Sequence, residues 1–148
     1  MQRHTILTSA IILVVALAQG SMANADDDHN NFDRSAFVGL WQAIDSYDGS
    51  TQYLSITCSR QRTCDVRLND TAFTLSCQNQ IGFAQGVGSI DRYVLTVELA
   101  LYCSNLYGSS TLAGSQMNEF VLDRRNGTLT NINDDPVPAP NVFHKISD

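Results

Sequence analysis

Four cysteines are the residues of this sequence with the most definite chemistry: Cys58, Cys64, Cys77 and Cys103. A cysteine thiolate can ligate zinc or act as a nucleophile, and two cysteines can form a disulfide. No C-x-x-C pair is present, and the spacings of 5, 12 and 25 intervening residues match no common zinc finger. We therefore predict neither a metal site nor a cofactor.

A nucleophilic cysteine needs a nearby base, and the histidines that follow residue 25 are His29 and His144. Neither lies in a recognisable catalytic signature, so we assign no catalytic residue. An enzyme remains an alternative only if Glu98, His144, Asp45 or the tyrosines gather at one mouth of the fold.

The N-terminus determines the redox environment of the cysteines. Residues 1–25 have the features of a secretory signal peptide: basic Arg3, an apolar stretch over 6–18, and small residues before a cut between Ala25 and Asp26. The apolar stretch of 13 residues is shorter than the roughly 20 that span a bilayer, so we predict no membrane span in the mature chain. A secreted or periplasmic location follows, where disulfides persist.

Length and charge limit the domain organisation and the partners. Export leaves about 123 residues, with eight basic against 15 acidic residues and a net charge of −7. This excess of negative charge disfavours nucleic acids and anionic membranes, which are bound mainly through Lys and Arg. We predict a flexible acidic tail over residues 26–36 and one domain over residues 37–148, long enough to bury its own core.

Alternating apolar residues place Cys58 opposite Cys64. Every second residue of two adjacent segments is apolar or cysteine: Leu54, Ile56 and Cys58 in residues 53–59, and Cys64, Val66 and Leu68 in residues 63–69. Side chains alternate along a strand, so a hairpin closed over residues 59–63 gives every apolar residue an apolar partner. Opposed residues have Cβ atoms about 4.5–5.5 Å apart, which suits a disulfide. We predict the bridge Cys58–Cys64.

The same alternation predicts the bridge Cys77–Cys103. The core-facing residues of segment 91–103 would be Tyr93, Leu95, Val97, Leu99, Leu101 and Cys103, with Thr96 and Glu98 on the opposite face. Those of segment 71–77 would be Phe73, Leu75 and Cys77. Both cysteines would then end a strand on its core-facing side.

The remaining sequence continues the pattern of strands. We predict them at residues 37–45, 81–90, 111–125, 128–132 and 141–146, with turns at Asp48-Gly49 and Asn126-Gly127, and find no convincing amphipathic helix. Gly82, Ala84, Gly86 and Gly88 leave one face of residues 81–90 nearly bare, which is typical of a strand close to another backbone. The pattern predicts an all-β fold: a single antiparallel meander barrel of about eight to ten strands, with a β-sandwich as the alternative.

Two short features resemble known barrels. Gly39-Leu40-Trp41 resembles the G-x-W of lipocalins and related calycin barrels, and Lys145 is positioned like the basic residue that covers this tryptophan from the last strand. The chain length and hairpins also resemble those of avidin-like barrels. Over most of residues 38–147 the sequence is similar to uncharacterised exported bacterial β-barrel proteins. This resemblance is carried by Trp41-Gln42-x-Ile44-Asp45, Asn126-Gly127-Thr128-Leu129 and Phe143-His144-Lys145-Ile146. The resemblance implies a closed barrel with Trp41 at one end and names no activity.

These observations favour an exported binding module for an apolar or amphipathic small ligand or for an exported protein partner. A small secreted enzyme and a purely structural surface protein are the alternatives. The candidate ligand contacts are Trp41, Glu98, Tyr102, His144 and Lys145. A hollow interior of about 300 Å³ or more would favour a small ligand, and a filled interior would favour a structural or loop-presenting role.

Acidic residues in the predicted turns admit a second interpretation. Asp45, Asp48 and Asp91 could gather as calcium ligands at one end of a barrel. No calcium-binding loop motif supports such a site, so we expect these residues to shape turns.

Overall fold

Eight antiparallel strands form a closed barrel in the computed structural model, which describes residues 34–59, 63–133 and 139–148. In chain order the strands are β1 Gly39–Ile44, β2 Thr51–Cys58, β3 Thr63–Asp70, β4 Ile81–Asp91, β5 Val94–Ser104, β6 Ser110–Asp123, β7 Thr128–Asn131 and β8 Val142–Ser147. Each strand pairs with the next, and β8 pairs with β1. The predicted all-β meander barrel is confirmed, and the alternative β-sandwich is excluded.

Among the described residues, two short helical segments accompany the strands. A 3-10 turn at Arg34–Ala36, the last residues of the predicted tail, precedes β1, and helix α1 spans Phe73–Ser76 between β3 and β4. The predicted signal peptide and residues 26–33 lie outside the described residues. Within the described ranges, no helix is long and apolar enough to cross a membrane.

The two ends of the barrel differ. We call the end with the β2–β3, β4–β5 and β6–β7 turns the tryptophan end, because Trp41 packs there and its Nε1 donates to Phe37 O at 2.9 Å. We call the other the hairpin end, because it carries the β5–β6 hairpin. The interior holds one buried apolar cluster, whose largest members are less than 2% exposed: Trp41, Phe37, Phe120, Phe143, Leu54, Ile56, Leu95, Leu129, Val66 and Val97.

Two buried amides and two half-buried carboxylates connect the strands at the hairpin end. The Nε2 of Gln52 donates to Asp45 Oδ2 at 2.8 Å and to Asp70 Oδ2 at 2.9 Å. The Nδ2 of Asn141 donates to Asp45 Oδ2 at 3.0 Å and to Gln52 Oε1 at 3.3 Å. Gln52 is only 7% exposed and Asn141 only 2%, and buried polar groups are costly unless they are hydrogen-bonded. The network therefore holds β2, β3 and the residues flanking β1 and β8 in one arrangement.

Both predicted disulfides are confirmed. Cys58 is bonded to Cys64, and these residues are direct partners in the β2–β3 ladder, as the alternation predicted. Cys77 is bonded to Cys103, with a Cα–Cα distance of 5.3 Å. Two disulfides are consistent with an exported protein.

The predicted strand over residues 71–77 is wrong, because this segment contains α1. The Oδ1 of Asp70 accepts the N–H of Ala72 at 2.7 Å, a local bond that turns the chain where β3 ends. A Cβ on Gly82 would lie 2.6 Å from Phe73 Cβ and 2.9 Å from Cys77 Sγ, so this part of β4 accepts a helix instead. The bridge was thus predicted correctly from a strand that does not exist.

Two predicted boundaries also differ from the structure. Asp91 ends β4, and Tyr93 lies in the following turn with 47% exposure rather than on the core-facing side of β5. The turn at Asn126-Gly127 spans residues 124–127 instead of two residues. Asp123 Oδ1 causes this longer turn, because it accepts the backbone N–H groups of Arg125 at 2.9 Å and Asn126 at 3.2 Å.

Removing the amide at the centre of the buried network should destabilise the fold. The substitution Gln52→Leu leaves the carboxylates of Asp45 and Asp70 without their shared donor, and we expect a loss of about 1–3 kcal/mol in the free energy of unfolding. Urea denaturation measures this loss. The control Gln85→Leu changes an exposed glutamine and should have little effect. Equal stability of the two variants would contradict a structural role for the network.

The carboxyl of Asp123 should make stability depend on pH. Hydrogen bonds from Asn126 hold the pKa of Asp123 below its ordinary value, so the folded state favours the charged form. The charged carboxyl of Asp123 therefore adds to the free energy of unfolding above its ordinary pKa. This stabilisation is lost as the pH falls through the lowered pKa. We expect Asp123→Asn to be less stable than the wild type at pH 7, with the difference shrinking in acid. An NMR titration that gives Asp123 an ordinary or raised pKa would refute this.

Candidate binding groove on the outer face

The predicted contact residues Trp41 and Lys145 form the closed end of the barrel. Trp41 is 1% exposed, and the Nζ of Lys145 lies 5.6 Å from the centroid of its ring. Lys145 also forms an ion pair with Asp148. The amine thus covers the ring at the tryptophan end, which is a structural arrangement.

The other three predicted contacts lie on the outer face. The inward-facing residues of β5 include Leu95, Val97 and Leu99. Because side chains alternate along a strand, Glu98 lies on the outer face. Tyr102 shares this face of β5, whereas His144 is exposed on β8, which is not a neighbour of β5 in the barrel. The structure therefore brings Glu98 and Tyr102 to the same surface and does not bring Glu98 and His144 together.

A groove with a volume of about 600 Å³ crosses the outer face of β2 to β5. Cross-strand pairing sets Ser55 beside Arg67, Arg67 beside Gln85, and Gln85 beside Ala100. The short side chains of Ser55 and Ala100 leave space between the longer ones. The groove is lined further by Asp65 and by the two outward residues of β5, Glu98 and Tyr102.

A second hollow of about 720 Å³ adjoins the first, because Arg67 lines both. Its walls include Ile81 and Phe83 of β4 together with Leu106 and Tyr107 of the β5–β6 loop. Leu106 is 101% exposed, Tyr107 95% and Ile81 71%. The two hollows together are called the outer groove below. It is polar towards Asp65 and Glu98 and apolar towards the hairpin.

Stacked side chains hold the middle of the outer groove in place. The Cζ of Arg67 lies 4.5 Å from the centroid of the Phe83 ring, and that ring stacks on Tyr102 with centroids 5.6 Å apart. Glu98 Oε1 accepts the hydroxyl of Ser115 at 2.7 Å. These contacts orient the side chains before any partner arrives, which lowers the entropic cost of binding.

The β5–β6 loop presents its two apolar residues on an ordered backbone. The Oδ1 of Asn105 accepts the N–H groups of Tyr107 at 2.9 Å and Ser109 at 3.0 Å. Residues 110–117 of β6 are all exposed, and among the described residues their ladder partners belong to β5. The part of β6 that pairs with β7 is Phe120–Asp123. The hairpin consequently extends beyond the part of the barrel that β7 closes.

The groove was not predicted from the sequence, although one signal pointed to it. Ile81, Phe83 and Val87 alternate with the glycines of β4, so three large apolar side chains lie on the face opposite the nearly bare one. The three aspartates of the calcium alternative do not come together, since Asp45 and Asp48 lie at the hairpin end and Asp91 at the tryptophan end. In the described part of the chain, no three His, Cys, Asp or Glu residues form a group able to hold a metal ion.

Asp48 has a local role in the β1–β2 turn. Its Oδ1 accepts the N–H of Ser50 at 2.8 Å, and hydrogen bonds from Ser50 lower the pKa of the Asp48 carboxyl. The charged carboxylate thus stabilises the turn, in agreement with the expected turn chemistry.

Comparison of the chain with protein-family models, curated proteins and solved structures found no match in any of the three. The geometry of the outer groove is therefore the basis for a functional proposal.

The floor of the groove depends on the absence of a side chain at Gly86. A Cβ there would lie 2.0 Å from the carbonyl oxygen of Glu98, so β4 and β5 would have to separate. We expect Gly86→Ala to lower the free energy of unfolding by about 1–3 kcal/mol. The matched control is Gly114→Ala, where a Cβ meets nothing within 4 Å and stability should not fall. Thermal or urea unfolding compares the two, and a harmless Gly86→Ala would contradict the close approach.

Proposed function

We propose that this protein is an exported binding module that binds a protein partner through the outer groove and the tip of the β5–β6 hairpin. The observation that carries the proposal is the exposure of Leu106 and Tyr107 on an ordered loop beside an aromatic hollow. Large apolar side chains exposed together on a soluble domain are typical of protein interfaces. Tyrosine and arginine are also the residues that most often anchor such interfaces.

A protein partner suits this surface better than a small molecule does. Sites for small ligands usually enclose most of the ligand in a concave pocket. Here buried apolar side chains occupy the interior, and the two hollows lie on the outside of the sheet. Together the two hollows offer an extended segment of chain apolar contacts near the hairpin and polar contacts further along.

The proposal includes export and a lipocalin-like architecture. Two disulfides support a secreted or periplasmic location. The proposal also includes a signal peptide that is cut between Ala25 and Asp26. The contact of Lys145 with Trp41 is the one that the resemblance to lipocalins implies. An enzyme finds less support, because Glu98 and His144 lie on separate parts of the outer surface.

Site-specific photocrosslinking in the producing cell tests the proposal. We introduce benzoylphenylalanine at Tyr107 of the full chain and, as a control, at His144 on β8. We expect one discrete adduct with an exported protein at position 107 and none at 144. The adduct identifies the partner, which is then purified and titrated with the wild type and variants.

Binding to the purified partner decides the outcome. Tyr107→Ala should weaken binding at least tenfold, which is about 1.4 kcal/mol, whereas His144→Ala should leave it unchanged. Identical adducts at both positions would argue against a defined site. A small molecule retained by the purified protein in native mass spectrometry, with no adduct at 107, would replace this proposal by ligand binding.

A further inference from the structure

We propose that the outer groove recognises a carboxylate through Arg67, so that the bound partner segment carries one acidic side chain next to apolar residues. This inference rests on the proposed function, because it names the chemistry that the same groove selects. It concerns the junction of the two hollows, where the polar and apolar parts of the groove meet.

The orientation of Arg67 is set by its neighbours. Its guanidinium lies over Phe83 at 4.5 Å, and Tyr102 supports Phe83 from the next strand. Stacking occupies the flat face of a guanidinium and leaves the N–H groups along its edge available. These donors form a fork that matches the two oxygens of a carboxylate.

The protein itself does not supply that carboxylate within the described residues. Arg67 has no ion pair with any acid in residues 34–59, 63–133 and 139–148. Its guanidinium instead makes a cation–π contact with the ring of Phe83. The nearby Glu98 is hydrogen-bonded to Ser115. An incoming carboxylate would therefore meet a positioned and unpaired cation.

The surroundings of Arg67 limit the partner to a single acidic residue at this point. On one side, Ile81, Phe83 and Leu106 offer contacts to an aliphatic or aromatic side chain. On the other side, Asp65 and Glu98 repel further negative charge. The whole chain also carries a net charge of −6, which disfavours a strongly acidic partner. The expected motif is an apolar residue, one Asp or Glu, and then neutral or basic residues.

Selection from a phage library of random 12-residue peptides tests the motif. The wild-type protein is compared with Arg67→Met, which keeps the unbranched stem over Phe83 but removes the charge and the donors. Arg92→Met, in the β4–β5 turn at the tryptophan end, is the matched control. We expect the wild type and Arg92→Met to select Asp or Glu beside an apolar residue. Arg67→Met should keep the apolar preference and lose the acidic one.

Titration of one selected peptide gives the magnitude. Its Glu→Gln or Asp→Asn analogue should bind the wild type about tenfold more weakly, and both peptides should bind Arg67→Met equally. Arg67→Lys, which keeps the charge but not the fork, should discriminate between the two peptides less than the wild type does. Circular dichroism checks that each variant remains folded, which is expected because Arg67 is exposed.

The results separate this inference from the proposed function. Equal enrichment of acidic residues by the wild type and Arg67→Met would overturn the role of Arg67, and selected peptides without acids would overturn the motif. In both cases, binding of peptides in the outer groove would still support a binding module. Failure to select any peptide, together with no adduct at position 107, would overturn both proposals.

Discussion

Closure of the barrel between β1 and β8 is the contact on which the other features depend. Trp41 is paired with Lys145 in this ladder, and Gly39 lies where a Cβ would approach Ser147 O to 2.4 Å. Gly39 also has φ of +132°, a conformation that favours glycine. Gly39, the first residue of G-x-W, therefore lets β1 and β8 lie close together. Trp41, the third residue, fills the space beneath them. Closure leaves neither β1 nor β8 as an open edge of the sheet.

A closed barrel with buried apolar side chains in its interior leaves the outer surface for the proposed recognition. The inner face of β4 is nearly bare, since Gly86 and Gly88 lie close to β5 and Gly82 lies close to α1, and the large side chains of β4 project outward. The same strand thus supplies the close backbone contact inside and the aromatic wall of the groove outside. Strand length exposes further side chains outside the closed part of the barrel, since the 14 residues of β6 extend well past the four of β7. The proposed binding surface lies where the strands extend beyond the part of the sheet that closes the barrel.

Local alternation was enough to predict much of the fold. It gave the pairs Leu54–Leu68, Ile56–Val66 and Cys58–Cys64, because adjacent strands with one buried face tolerate only one register. Helix α1 was not predictable in this way, since the side chain of Asp70 and the missing Cβ of Gly82 decide its position. The outer groove was harder to predict than α1, because residues from four strands form it and no single segment of sequence reveals its shape. Glu98 and Tyr102 were recognised as candidates, but Arg67 was not.

The bridge between Cys77 and Cys103 has a consequence for the width of the larger hollow. Cys103 lies in β5 directly before Ser104, which lines one wall of the hollow. Cys77 lies shortly before Asn79 and Gln80, which line the opposite wall. A covalent bond therefore spans the two walls and fixes their separation. In a chain whose thiols are still reduced, only noncovalent contacts hold those walls together. For the exported binding module proposed above, oxidation of this cysteine pair would set the width of the hollow before a partner binds.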